Sequence, residues 1–193
     1  GIDLALFKSR VKLEYTLSYQ DVKDQIFDVP TAGSSGYQAL RTNAGRMTTW
    51  SHEFALNATL LDHADYSLDF GLNFTKVTNK VKELAHGVES IMLGGFVEPQ
   101  IRAQAGYTYP NIYGKAFKRT KDGSLLLRNG LPQATSASVN LGECAPDFNM
   151  GFNLHARYKR LSLAATLDWQ KGGCMYNGTL LTMNFFGVTK ASL

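Results

Sequence analysis

The 193-residue sequence predicts an all-β fold, an antiparallel transmembrane β-barrel segment of roughly eight strands at about ten residues each. Three observations predict it. Apolar and polar residues alternate strictly over long runs. Aromatic residues stand at the ends of the apolar faces. Tight turns alternate with long connections.

The alternation is clearest at residues 11–20. Val11, Leu13, Tyr15, Leu17 and Tyr19 form one set, and Lys12, Glu14, Thr16, Ser18 and Gln20 the other. In a strand the two sets point to opposite faces, whereas a helix would smear Lys12 and Glu14 into the apolar stripe. Residues 52–60 repeat the pattern less cleanly, with Phe54, Leu56, Ala58 and Leu60 on one face. Tyr66, Leu68, Phe70, Leu72 and Phe74 then alternate with Ser67, Asp69, Gly71, Asn73 and Thr75. Met150, Phe152, Leu154, Ala156 and Tyr158 define another run, and Leu161, Leu163, Ala165, Leu167 and Trp169 the last. Such runs of about nine to eleven residues match tilted strands crossing a bilayer, while soluble strands more often have about five or six. Tyr19, Tyr66, Tyr158 and Trp169 sit where interfacial aromatic girdles fall.

Tight turns are predicted at residues 7–10, 61–65 and 158–160, and long connections at 21–51, 76–103 and 131–147. That asymmetry is the habit of bacterial outer-membrane barrels, short turns inside and long loops outside. A β-sandwich with its aromatic faces packed inward has no reason to put every long connection at one end. A fourth hairpin is expected between about residues 102 and 132, turning at Lys121-Asp122-Gly123, because Asp-Gly between strand-like runs is a hairpin signal. Residues 81–86 suit a short helix in a loop.

Composition agrees. Charged residues are 19%, below the roughly 25% of soluble domains. The net charge of +4 is spread along the chain, which gives nucleic-acid binding little support. No run approaches the roughly 20 apolar residues of a membrane-spanning helix. A mean hydropathy of -0.18 is compatible with a barrel, since only one face of each strand meets lipid. The chain opens on Gly1-Ile2-Asp3-Leu4, already strand-like, and residues 187–193 show no terminal strand pattern. The expectation is a mature N-terminus or a fragment, with residues 1–193 forming part of one barrel domain.

Several connecting segments carry a resemblance. Asn43-Ala44-Gly45-Arg46-Met47, followed by Glu53, Leu56 and Asn57, resembles the "NAG-x-M … E-x-x-L-N" stretch of SusC/RagA-type TonB-dependent transporters. Asn73-Phe74-Thr75 and Asn79-Lys80-Val81 are similar to that family's "N-F-S … N-K-V", with Thr75 in place of Ser. Residues 106–132 resemble its "G-x-x-Y-x-x-x-Y-G … D-G … G-L-P" segment. Leu141-Gly142, Pro146-Asp147-Phe148, Asp168, Gln170, Gly172-Gly173 and Tyr176-Asn177 resemble its "L-G-x-x-x-P-D-F … D-x-Q-x-G-G-x-x-Y-N" run. The order and spacing cover nearly the whole chain. The resemblance implies an internal segment of the C-terminal half of a plugged barrel of about 22 strands. It implies import of glycans or peptides across the bacterial outer membrane, with the remaining barrel and plug, a SusD-like surface lipoprotein, the TonB complex and the lipid bilayer as partners. Two other readings stay open: a passive porin or adhesion barrel, and a soluble carbohydrate-binding β-sandwich.

Candidate sites are few. Register counted from the last turn pairs Tyr158 with Leu161 and Met150 with Trp169, which sets Cys144 nearly opposite Cys174. In an exported protein these could form a disulfide. Alternatively, loop geometry holds the two thiols beyond the roughly 7 Å Cα separation that a bridge tolerates. His52, His63, His86 and His155 are scattered, with no metal-site spacing. There is no Gly-x-Ser-x-Gly, Walker loop or Cys-x-x-Cys, and Gly33-Ser34-Ser35-Gly36 reads as a loop, so neither catalysis nor a cofactor is expected. Asn57-Ala58-Thr59 and Asn177-Gly178-Thr179 match a glycosylation triplet by chance. Tyr107, Tyr109 and Tyr113 cluster near the expected outer rim, where packing is the first reading and ligand contact the second.

Overall fold

A computed structural model describes residues 1–96 and 98–190. In chain order the strands are β1 (Ile2–Leu6), β2 (Val11–Pro30), β3 (Ala39–Asp62), β4 (Tyr66–Leu84), β5 (Ser90–Gly95), β6 (Gln100–Gln104) and β7 (Asn111–Gly114). They continue with β8 (Leu127–Arg128), β9 (Leu131–Pro132), β10 (Val139–Glu143), β11 (Pro146–Tyr158) and β12 (Leu161–Gly172). One helix, α1 (Gly178–Phe185), follows, capped by the Asn177 side chain, which accepts from the Leu180 N–H.

Six strands form an antiparallel wall in the order β1-β2-β3-β4-β11-β12. Its register is continuous. Leu4 pairs with Leu13, Leu13 with Leu56, Leu56 with Leu72, Leu72 with Phe152, and Phe152 with Leu167. This apolar rung crosses all six strands on one face. The next rung, one residue along, runs Asp3, Glu14, Ala55, Asn73, Gly151 and Asp168 on the opposite face. Period-two patterning therefore fixes register across the whole sheet, because a one-residue slip would exchange the faces.

The wall differs from the expectation in two ways. The predicted hairpin around residues 102–132 does not join it, so the expected eight strands become six in the wall plus a separate sheet. That sheet runs β10-β7-β6-β5 and lies in the connection from β4 to β11. The Asp122-Gly123 turn does form: Gly123 has φ +88°, and its N–H donates to the Thr120 carbonyl at 3.0 Å. It closes a small projection held by the Arg119–Leu125 and Phe117–Ala134 bridges and the β8–β9 pair. The second difference is strand length. β2, β3 and β4 have 20, 24 and 19 residues and run well past the expected ten. The predicted long loop at 21–51 is mostly strand, and the helix expected at 81–86 is replaced by the end of β4 and a turn.

Apart from Ala58 of the wall, the buried side chains lie outside the barrel pattern. Ile91, Ala103, Ile112, Tyr113, Val81, Thr48 and Asn111 are buried, and all belong to the loop-end sheet or to the extensions of β3 and β4. Here two layers pack, as in any soluble β core. The wall is one layer thick. Its apolar side chains stay open, with Leu163 59%, Leu167 63% and Leu161 74% exposed. A contiguous exposed apolar face of this extent calls for a partner phase, and one polar face behind it fits a lipid-facing wall. Among the described residues both wall edges, β1 and β12, have a single neighbour, which leaves their outer ladders open.

Candidate functional site

The tight turns, at residues 7–10, 63–65 and 159–160, lie at one end of the wall, and the connection carrying the second sheet lies at the other. Phe7, Lys8, Ser9 and Lys159 adopt positive φ in these turns. They are the strained positions that two-residue and four-residue hairpins demand.

The polar face carries the chemistry of a lumen. A hollow of about 490 Å³ on it is lined in part by Arg10, Lys12, Asn57, Asp69, Asn153 and His155. Thr59 Oγ1 donates to Asp69 Oδ1 at 2.8 Å, and Thr166 Oγ1 donates to Asn153 Oδ1 at 3.0 Å. His155 Nδ1 stands 4.0 Å from Asp69 Oδ2. These are exposed, mixed-sign groups arranged along strands. They can bind water, another protein layer or a polar solute, and no nucleophile–base pair is among them. Among the described residues no cluster of three His, Cys, Asp or Glu side chains forms a metal set.

The apolar face ends in a rim. Tyr19 and Trp50 pack at a centroid distance of 4.5 Å, and Phe148 meets Trp169 edge-on at 5.2 Å. Tyr15 Oη and His52 Nδ1 share a hydrogen bond of 2.9 Å on the same face. At the turn end, Tyr66 pairs with Tyr158, and His63 stacks on Tyr66 at 4.8 Å. The four histidines therefore go to separate places, His86 lying exposed just after β4.

Beyond the rim, two Arg–Asp forks brace the extended ribbon of β2 and β3. Arg46 Nε and Nη2 donate to Asp21 Oδ1 and Oδ2 at 2.9 and 2.7 Å. Arg41 does the same to Asp28 at 2.8 and 2.9 Å. Hydrogen bonding from its guanidinium holds each Asp carboxyl below the ordinary 3.8. Sequence reading missed both forks. The Asp21–Arg46 partners are 25 residues apart, and only the register of β2 on β3 brings them together.

The tyrosine cluster separates. Tyr113 is 6% exposed, donates its hydroxyl to Gln104 Oε1, and lies beneath the Arg102 guanidinium. It is a core residue. Tyr109 closes onto β4: its N–H donates to Asn79 Oδ1 at 2.7 Å, and Asn79 Nδ2 donates back to its carbonyl. Tyr107 remains 47% exposed. Cys144 and Cys174 are brought to one place. The Cys174 N–H donates to the Glu143 carbonyl at 2.7 Å, and a Cβ on Gly173 would stand 3.0 Å from the Cys144 carbonyl oxygen. Both thiols are free in the structure, and burial followed by the neighbouring Cys174 pushes Cys144 above the usual thiol range.

A single-layer wall with one apolar face, an aromatic rim and a loop-end sheet can be compared with known proteins. No family profile matches the chain. TonB-dependent receptor P3 of Formosa agariphila is 27% identical over 95% of this chain. TonB-dependent receptor P26 of the same organism is 22% identical over 92%. The chain is similar to SusC/RagA-type TonB-dependent transporters along nearly its whole length. Among solved structures, the RagAB peptide transporter superposes with a TM-score of 0.65 at 21% identity, over 84% of this chain and 19% of that one. Its open-open state gives 0.67 at 19% identity, over 85% and 19%. The chain spans about a fifth of the length of the P3 and P26 receptors. These relatives are receptors and transporters rather than enzymes, and the all-β antiparallel fold matches theirs.

Proposed function

We propose that this chain forms wall and outer surface of a TonB-dependent transporter that imports glycans or peptides across the bacterial outer membrane. The observation that carries the reading is the unbroken apolar rung from Leu4 to Leu167, backed by a polar rung one residue along. A sheet with lipid on one side and a watery or protein-filled lumen on the other calls for both. The turns then face the periplasm and the loop-end sheet faces outward.

The remaining strands close the two open edges, and a plug from the same protein meets the polar face. The similarity to TonB-dependent receptors supports coupling to the TonB complex, and the RagAB likeness supports a surface lipoprotein of SusD type over the outer sheet. It also supports peptides alongside glycans as the substrate class. One domain, comprising residues 1–193 and the missing strands, is the expected unit.

Uptake by cells with the parent gene deleted, or with the TonB system disabled, tests this. Labelled oligopeptide and oligosaccharide pools are supplied in turn. Loss of accumulation of one pool in both strains is the expected result. Unchanged accumulation without TonB would favour a passive pore. A parent protein that stays monodisperse without detergent would favour the soluble sandwich.

A further inference from the structure

The wall's apolar face does not end in aromatic residues alone. Lys76 and Lys171 lie on it as well. By alternation Lys76 follows Phe70, Leu72 and Phe74 on the outward side of β4, and it pairs with His52 of β3. Lys171 follows Leu167 and Trp169 on the outward side of β12, and it pairs with Phe148 of β11. The two lysines thus flank Phe148, whose ring contacts Phe74 at 5.5 Å and carries the Lys171 Nζ at 5.8 Å from its centroid.

Their height is informative. Lys76 stands ten residues along β4 from Tyr66, and Lys171 ten residues along β12 from Leu161. At about 3.3 Å per residue and a tilt of about 40°, both reach roughly 25 Å from the turns, the height of the apolar band. They meet the membrane where hydrocarbon gives way to outer-leaflet headgroups. Neither ammonium lies within ion-pair distance of a carboxylate among the described residues.

Beside them the sheet splits. β4 and β11 stay paired only up to Thr75–Asn149, and further on β4 bonds instead to the chain around Tyr107. The fork encloses a hollow of about 480 Å³ lined by Lys76, Lys171, Thr78, Thr108, Glu143 and Asp147. It is large enough for a polar headgroup. The lysines supply anion-binding donors at its lipid side, and the hydroxyls and carboxylates offer partners for sugar hydroxyls or an amine.

We infer that this fork holds the phosphate-bearing headgroup of an outer-leaflet membrane lipid, with Lys76 and Lys171 on the phosphate and the acyl chains lying along the Phe74–Phe148–Trp169 surface. The inference rests on the barrel reading given above. It adds a fixed lipid to the wall.

The full-length transporter containing this segment is purified in detergent doped with phosphatidic acid or, separately, phosphatidylcholine. Bound lipid is counted by native mass spectrometry. Wild type is expected to retain phosphatidic acid over phosphatidylcholine. K76Q/K171Q should bind phosphatidic acid about 30-fold more weakly, the loss expected for two lysines at an anionic surface. K76R/K171R should retain it. K159Q is the control, because Lys159 lies over Tyr158 at the opposite rim. Equal retention by wild type and K76Q/K171Q overturns the inference. So does an equal loss in K159Q, or displacement of the lipid by inorganic phosphate alone. Heat-modifiable migration reports folding. A folded, detergent-dependent barrel without selective retention sinks only the lipid site, whereas a barrel that needs no detergent sinks the membrane reading itself. If K76Q/K171Q does not fold, K76Q alone carries the comparison.

Discussion

Leu72→Arg is the sharpest test of which face meets lipid. Leu72 lies in the apolar rung, between Leu56 and Phe152, six residues along β4 from Tyr66. At about 3.3 Å per residue and a tilt of about 40°, that places it roughly 15 Å from the turn end of a band about 25 Å tall, close to mid-height. An arginine at the midplane of a lipid-facing barrel surface costs about 2–4 kcal/mol, and one near the boundary about 0–1 kcal/mol. Leu161→Arg supplies the boundary case. Leu161 is on the same face, pairs with Tyr158 at the turn, and is 74% exposed. Reversible denaturant unfolding of the parent protein in lipid vesicles reads both variants. A clear gap between them is expected, with Leu72→Arg the costlier. Equal costs, or a cost below that of Leu161→Arg, would refute the lipid-facing assignment and with it the orientation of every strand in the wall.

Other predictions concern the loop end. A Cβ on Gly45 would stand 2.8 Å from Phe27 Cε2, so Gly45→Ala must displace the ring, at a cost of about 1–3 kcal/mol. Amide exchange along the β2–β3 ribbon should quicken in Gly45→Ala and recover when Phe27→Leu is added. The carboxyl of Asp21 is held below its ordinary 3.8 by Arg46, so the fork's stabilisation is full above that value and is lost as pH falls through the lowered one. The protection of amides 45–48, that is, exchange relative to the intrinsic rate at each pH, should therefore be unchanged from pH 7 to pH 5 and fall below about pH 4. Cys144 and Cys174 are expected to join when the parent protein matures in an oxidising compartment, with a periplasmic thiol–disulfide oxidoreductase as electron acceptor. Non-reducing mass mapping checks this, and two free thiols would refute it. Closing about 30 residues should stabilise by about 3–4 kcal/mol in the chain-entropy account, which C144S would remove.

The sequence was most legible where one face of the sheet is apolar and the other polar. Residues 66–75 and 161–170 alternate without a break; β4 and β12 contain them, and β12 pairs with β11 in the expected register. Beyond Tyr19 and Trp50 the strict alternation stops, so the period no longer marks the strand. β2 passes through a bulge at residues 22–25, with Asp24 at φ +57°, and reads as loop although it is strand. The second sheet was illegible for a different reason. β5, β6 and β7 have only 6, 5 and 4 residues, too short for a period to show, and Ile91, Ala103 and Ile112 become a core only once β4 and β6 meet. Tyr113 could be read as rim or core from its neighbours alone, and burial decides for core. The meeting of Cys144 with Cys174 followed from counting register out of one hairpin, the kind of local inference a sequence supports well.

The passage from β4 to β11 has a consequence for how such a protein can change. The chain leaves the wall after Leu84 and re-enters at Pro146 as the immediate neighbour of the strand it left. Whatever fills residues 85–145, the pairing of Thr75 with Asn149 and every rung below it is unaltered. Doubling such an insertion adds only about 0.6 kcal/mol of closure entropy. The second sheet can thus be lengthened, shortened or exchanged as a cassette while the register of the wall stays untouched, so that the two parts of the fold can evolve apart.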